Sequence, residues 1–134
     1  MKRMAILCID DENIILTSLE LQLKKHFGEQ FIYEFAESAE EGMEIIEEFT
    51  QNGIEIVLIV SDWLMPGTKG DEFLINVHQE HPEVVMVMLT GQADPEAVER
   101  ARVQANLHCC LCKPWTEEEL KEAILTGVDR INGK

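Results

Sequence analysis

The chain has 134 residues, with 26 acidic side chains against 11 basic ones and a formal net charge of -15. That length supports one domain with a core that needs no disulfide or metal to hold it. Its apolar residues, 46% of the total, come in blocks, which excludes intrinsic disorder. The charge argues against autonomous binding to nucleic-acid phosphates or an anionic membrane, and leaves divalent cations and basic protein surfaces as compatible partners.

Residues 4–9 form the first apolar run, closed by Asp10-Asp11-Glu12. It is too short for a signal peptide, and no later run exceeds six residues, far below a membrane span. A cytoplasmic location is expected. Residues 13–27 carry Ile15, Leu16, Leu19, Leu23 and Phe27 at helical spacing. Residues 31–36 are aromatic and β-branched and read as a less buried strand. Ser38-Ala39-Glu40-Glu41 is a capping box that opens a helix over 39–50, and Asn52-Gly53 stops it. Met43, Ile46 and Phe49 should face inward there, with Glu40, Glu41, Glu44, Glu47 and Glu48 on a solvated face. Residues 54–60 and 84–89 are near-continuous apolar runs, the pattern of strands covered on both faces of a parallel sheet. Met86 and Met88 are expected in the core with Met43.

Between those runs, residues 70–80 carry Phe73, Leu74 and Val77 at helical spacing. Asp94-Pro95 places a cap residue before a proline at the first position of the next helix. Residues 107–112 make a last short strand. Its His108-Cys109-Cys110-Leu111-Cys112 segment suggests zinc, but alternation would turn Cys109 away from Cys110 and Cys112, and no second ligand cluster exists. These cysteines and Cys8 are expected as buried strand residues. Thr116-Glu117-Glu118-Glu119 is a second capping box, followed by Leu120, Ala123, Ile124, Val128 and Ile131 at helical spacing.

Strand and helix thus alternate five times, which implies a single α/β, doubly wound domain with a parallel sheet and helices on both faces. In such sheets function sits at the carboxyl ends of the strands. Those ends hold Asp10, Asp11 and Glu12, then Asp62, then Thr90-Gly91, then Lys113-Pro114. Three converging carboxylates stay ionised together only when a cation compensates, and oxygen ligands with room for water suit Mg²⁺. Lys113 and Thr90 suit an anion that arrives beside the metal, such as a phosphoryl group. Asp62, after the most apolar strand, is the best acceptor. Asp11 would bind the ion directly, Asp10 through water, and the Leu64 carbonyl would complete the shell with Asp62.

This set resembles the receiver domain of two-component response regulators. The matching residues are Asp10-Asp11, Asp62 with Met65-Pro66-Gly67 and Gly70, Thr90-Gly91, and Lys113-Pro114, in that order over about residues 3–131 of one domain, 1–134. The resemblance implies a (βα)5 flavodoxin-like fold with strand order 2-1-3-4-5. It implies that Asp62 accepts a phosphoryl group from a sensor histidine kinase or phosphotransfer protein, with Mg²⁺ or Mn²⁺ held by Asp10 and Asp11. Thr90 and Lys113 would bind phosphoryl oxygens, Thr90 would draw its loop inward, and Pro114 would follow a cis peptide bond. The signal would leave through the fourth helix, fifth strand and fifth helix, toward a downstream protein, an output domain or a second copy in a homodimer. The protein would then be no enzyme, but a Mg-dependent acceptor that promotes its own phosphorylation and dephosphorylation.

The sequence departs from the family pattern where an aromatic residue usually stands three positions before the lysine. Cys110 stands there, so no ring can swing. Leu64 and Gln92, two positions beyond Asp62 and Thr90, border the family's path for hydrolytic water. Leu64 cannot orient water and Gln92 can. Trp63 either lines the rim of the site or covers the sheet, and Trp115 is expected to pack. Three other functions compete. An Asp-nucleophile phosphatase of the haloacid-dehalogenase type needs a second acid where Leu64 stands, and a cap domain. A flavodoxin-like electron carrier needs a Ser, Thr and Gly loop where Asp10-Asp11-Glu12-Asn13 stands. The remaining alternative is a phosphorylation-independent pseudo-receiver, which should have lost one of the acids or the lysine. No nucleic-acid-binding segment follows the fifth helix, so the chain is expected either to stand alone or to be a piece of a longer protein.

Overall fold

The computed structural model describes residues 3–65, 67–91 and 95–132. Strands β1 (Arg3–Ile9), β2 (Ile32–Ala36), β3 (Ile54–Asp62), β4 (Val85–Thr90) and β5 (Cys109–Cys112) alternate with helices α1 (Asn13–Phe27), α2 (Ala39–Gln51), α3 (Gly70–Glu80), α4 (Pro95–Gln104) and α5 (Glu117–Asn132). All pairings are parallel, in the order β2-β1-β3-β4-β5. This is the doubly wound, flavodoxin-like arrangement that the alternation implies. None of the described helices is long and apolar enough to cross a membrane.

The central strands are apolar on both faces because each face is roofed by helices. Ile6, Cys8, Leu58, Val60, Val87 and Leu89 pack under α1 and α5 with Leu19, Leu23 and Ile124. Leu7, Ile9, Ile59, Met86 and Met88 pack under α2, α3 and α4 with Ile46, Phe73 and Leu74. A fully buried leucine such as Leu19 is worth about 2–3 kcal/mol relative to exposure. The local signals act where they stand. Ser38 Oγ accepts from the Glu41 N–H at 3.1 Å, and Thr116 and Glu119 cap each other at 3.0 and 2.8 Å. Gly53, after the Asn52 cap, takes the left-handed φ of 77° that ends α2. The proline at the start of α4 is Pro95, as expected, while its partner Asp94 lies outside the described residues. A single 3-10 turn at Gly28–Gln30 links α1 to β2.

Two expectations fail, for tertiary reasons. Met43 is 36% exposed rather than core. The inward face of α2 is instead Ala39, Gly42, Ile46 and Phe49. A Cβ on Gly42 would lie 2.8 Å from Ile9 Cδ1 and 3.2 Å from Phe73 Cζ, so the helix sits close and rotates Met43 outward. The cysteines are not uniformly buried either. Cys8 is buried, Cys109 and Cys110 are half-buried and Cys112 is exposed, because β5 is a four-residue edge strand with one neighbour. The alternation itself holds, with Cys109 facing the α1/α5 side and Cys110 the α2/α3/α4 side. The glutamates of α2 are all exposed, as expected.

Candidate functional site

The sheet register assembles the site. Ile9 is opposite Ser61 and also opposite Ala36, so the next residue, Asp10, emerges beside Asp62. Asp62 is itself opposite Leu89, and Thr90 is opposite Cys112. The ends are tied by backbone bonds from Asp10 N to Ala36 O (3.1 Å), Trp63 N to Leu89 O (2.9 Å) and Lys113 N to Thr90 O (2.8 Å). The loop after Asp62 turns back hard on the strand. Gly70 N donates to Trp63 O at 2.7 Å, and a Cβ on Gly70 would collide with the backbone oxygen of Asp62. Only glycine fits there.

Asp10 and Asp62 are buried and Asp11 is exposed. One oxygen of each lies within 4.8 Å of the others. Lys113 Nζ stands 2.9 Å from Asp10 Oδ2, 3.0 Å from Asp62 Oδ1 and 3.6 Å from Glu12 Oε1. The peptide bond between Lys113 and Pro114 is cis, as expected. Asp10 Oδ1 also accepts the Glu12 N–H at 2.9 Å, so Asp10 organises the loop ahead of α1 without capping it.

Burial is the largest influence on Asp62 and raises its pKa; the Lys113 hydrogen bond opposes this, and the Asp10 charge adds to it. Asp10 is raised for the same first reason, against hydrogen bonds from the Glu12 backbone and Lys113. Burial pulls Lys113 down, but its bonds to Asp10 and Asp62 outweigh this and its pKa is raised. One ammonium therefore serves several acids in a half-dry cleft, which is under-neutralised. A divalent cation fits this donor set, since three carboxylate oxygens within reach of one another are hard ligands and burial disfavours leaving them bare.

Thr90 Oγ1 is buried and has no hydrogen-bond partner among the described residues. A buried orphan hydroxyl is costly unless a ligand completes it. The cleft is lined by Asp11, Glu12, Asp62, Trp63, Leu64, Gly91 and Lys113. Trp63 does both jobs foreseen for it: it lines this rim and packs against the core below α3 and α4. Lys69 Nζ lies 5.5 Å from its ring centroid. Leu64 is 62% exposed at the rim. Cys110 faces the α4 side and Trp115 packs on the α1/α5 side. Pro66 and Gln92 lie outside the described residues.

Sequence reasoning missed Glu12 as a neighbour of Lys113, although its place beside the acid pair was a usable signal. It also missed an ion pair between the buried Asp71 of α3 and the exposed Arg100 of α4, for which no local pattern exists.

Comparison with known proteins supports the same reading. A family model described as response regulator receiver domain matches residues 6–125. The hydrogenase transcriptional regulatory protein HoxA of Cupriavidus necator is 27% identical over 128 residues, which is 96% of this chain and 25% of that protein. The chain thus spans about a quarter of that relative. Chemotaxis protein CheY-3 of Vibrio cholerae is 27% identical over 132 residues, covering 97% of this chain and 95% of that one. A CheY-like response regulator receiver domain protein from Methanospirillum hungatei superposes with a TM-score of 0.84 at 27% identity, over 98% of both chains.

Proposed function

The chain belongs to the response regulator receiver family of two-component signalling, and from that premise we propose that Asp62 is its phosphoryl acceptor. The observation that carries the reading is the convergence on Asp62 of Lys113 at 3.0 Å, the carboxylates of Asp10 and Asp11, and the orphan hydroxyl of Thr90. The donor is a phosphohistidine on a sensor kinase or phosphotransfer protein. An Asp62 carboxylate oxygen attacks phosphorus, the O–P bond forms as the P–N bond breaks, and the leaving imidazole nitrogen takes up a proton. The product is an acyl phosphate on Asp62.

Asp10, Asp11, Asp62 and the Leu64 carbonyl would hold Mg²⁺ or Mn²⁺, which would supply positive charge to offset the acids and the incoming phosphoryl group. Lys113 pairs with one phosphoryl oxygen and exchanges part of its present bond to Asp62 for it. Thr90 donates its hydroxyl to another oxygen, which satisfies the orphan atom. Water attack on phosphorus breaks the Asp62 O–P bond, releases inorganic phosphate and a proton, and returns the Asp62 carboxylate, so the chain is an acceptor that resets rather than an enzyme with a separate substrate. Leu64 has no polar group to orient that water. A phosphoryl group adds about -1.5 to -2 charges at Asp62, enough to bias a two-state element. The output face is α4, β5 and α5, toward a downstream protein, an output domain or a second copy, in the cytoplasm and without direct nucleic-acid contact.

Intact mass after incubation with acetyl phosphate and Mg²⁺ tests this. The parent should gain one phosphoryl group, Asp62→Asn should gain none, and EDTA should abolish the gain. A parent that gains nothing, under conditions that label a known receiver, would instead make the chain a docking module that works without phosphorylation.

A further inference from the structure

Asp71, the second residue of α3, is 2% exposed, the one charged side chain among the buried residues of that helix. Its Oδ2 accepts from Arg100 Nε at 3.3 Å and lies 3.2 Å from Arg100 Nη2. Its Oδ1 is buried without a hydrogen-bond partner among the described residues. Only the Asp71 end of the pair is buried, since the Arg100 side chain is 44% exposed. A half-exposed pair with one unsatisfied interior oxygen contributes little to stability, because solvent screens the cation while the carboxylate stays desolvated. The pair calls for another use.

Its two ends lie on the helices that follow the two loops leaving the site, α3 after β3 and α4 after β4. On one side, Gly70 anchors Asp71 to the acceptor, through its N–H to Trp63 O and its contact with the Asp62 backbone oxygen. That backbone leaves α3 little slack relative to Asp62. On the other side, Arg100 lies on α4, ten residues beyond Thr90. Helix α4 buries Ala97 and Ala101 and packs Val98 against the core cluster that Cys110 of β5 also joins. Among the described residues the buried side chains of α4 are the two small ones Ala97 and Ala101, and position 110 is a cysteine rather than a ring.

We propose that the Asp71–Arg100 ion pair is a positioning latch that holds α4 in its unphosphorylated placement and couples it to the acceptor loop. The inference rests on Asp62 being the acceptor, and concerns how its charge reaches α4 with Cys110 in the place of an aromatic ring. When Asp62 is loaded, the β3–α3 turn and the Thr90 end of β4 adjust around the added oxygens, the geometry at Asp71 changes, and α4 is released. By reciprocity, opening the latch by mutation should make loading easier.

The full chain is titrated with beryllofluoride and Mg²⁺, with binding read by tryptophan fluorescence and α4 by amide hydrogen exchange. In the parent, binding should raise exchange in α4. The paired variant Asp71→Leu/Arg100→Met replaces the ion pair with apolar contact, and Asp71→Asn keeps the shape without the charge. Both should bind beryllofluoride at least about fivefold more tightly than the parent. Both should also show fast α4 exchange before ligand is added, while Arg100→Lys should stay close to the parent. A merely structural pair would change stability and leave affinity and the α4 response as in the parent. That result in both variants, weaker binding in both, or a parent whose α4 is indifferent to bound beryllofluoride would overturn the latch. No binding by the parent, or equal binding by Asp62→Asn, would instead remove Asp62 as acceptor and the latch with it.

Discussion

The two flanks of the sheet are held in different ways. On the α1/α5 flank, polar ties cross between elements. Trp115 Nε1 donates to Gln22 Oε1 at 2.9 Å, and Glu117 meets Lys25 at 2.9 Å and His26 at 3.1 Å. His108 bridges Thr126 at 2.8 Å and Arg130 at 3.1 Å, linking the start of β5 to α5. On the α3/α4 flank, α4 buries the small side chains Ala97 and Ala101, and its Arg100 meets Asp71 of α3. The difference teaches where a local event at Asp62 can be expressed. A helix with many independent ties moves only when several break together, so the charged pair between α3 and α4 is the place on the other flank where such an event would be felt. Lys113 stands between the flanks, since it follows β5 and reaches Asp10 and Asp62.

The sharpest way to break the comparison is at that junction. Lys113→Met leaves Asp10 and Asp62 without their shared cation. It should slow labelling by acetyl phosphate about 100-fold, as for loss of one charge-stabilising donor. It should also destabilise the metal-free protein by about 3 kcal/mol, as for one partner lost from a buried pair. Because the bare acids cause the loss, saturating Mg²⁺ should recover part of the stability. Unfolding curves with and without Mg²⁺ that fall by the same amount would show that the lysine acts otherwise.

A smaller change sharpens the contrast between flanks. Trp115→Phe keeps most of the packing and removes the bond to Gln22, which should cost about 1 kcal/mol. Hydrogen exchange should rise in the first turn of α5 and stay unchanged in α4. A rise in α4 of the same size would mean that the two flanks are one cooperative unit.

The smallest effect is a pH dependence on the anchored flank. Burial first, and the Arg130 guanidinium second, hold His108 below the ordinary imidazole value. Between that lowered value and about 6.5, the unfolded chain binds a proton that the folded chain does not. Stability therefore rises with pH through this window, is fully present above it, and is lost as pH falls toward the folded value. The ring is partly exposed, so solvent screens it and the effect should be the smallest of the three. In paired denaturant titrations, the advantage of the parent over His108→Gln should shrink as pH is lowered through the window. A constant difference would show that the ring is not held neutral.

How much of this was legible beforehand follows from the range of each signal. The capping boxes at Ser38 and Thr116, the stop at Asn52-Gly53 and the apolar runs of β3 and β4 act within a few residues, so the sequence alone determined the elements and their alternation. Alternation and strand handedness then placed Asp10, Asp11, Asp62, Thr90 and Lys113 at one edge of the sheet. Exposure of Cys112 was not legible, because it depends on β5 having no strand beyond it. Nor was the rotation of Met43, which depends on how closely Gly42 lets α2 approach Ile9 and Phe73. The orphan state of Thr90 Oγ1, the reach of Glu12 to Lys113 and the meeting of Asp71 with Arg100 depend on which side chains stand across a gap from one another. The sequence by itself determined which chemistry the chain carries and along which edge. The tertiary structure alone decided how those charges share the Lys113 ammonium and which charges meet across α3 and α4, because burial and pairing are set by neighbours far apart in the chain.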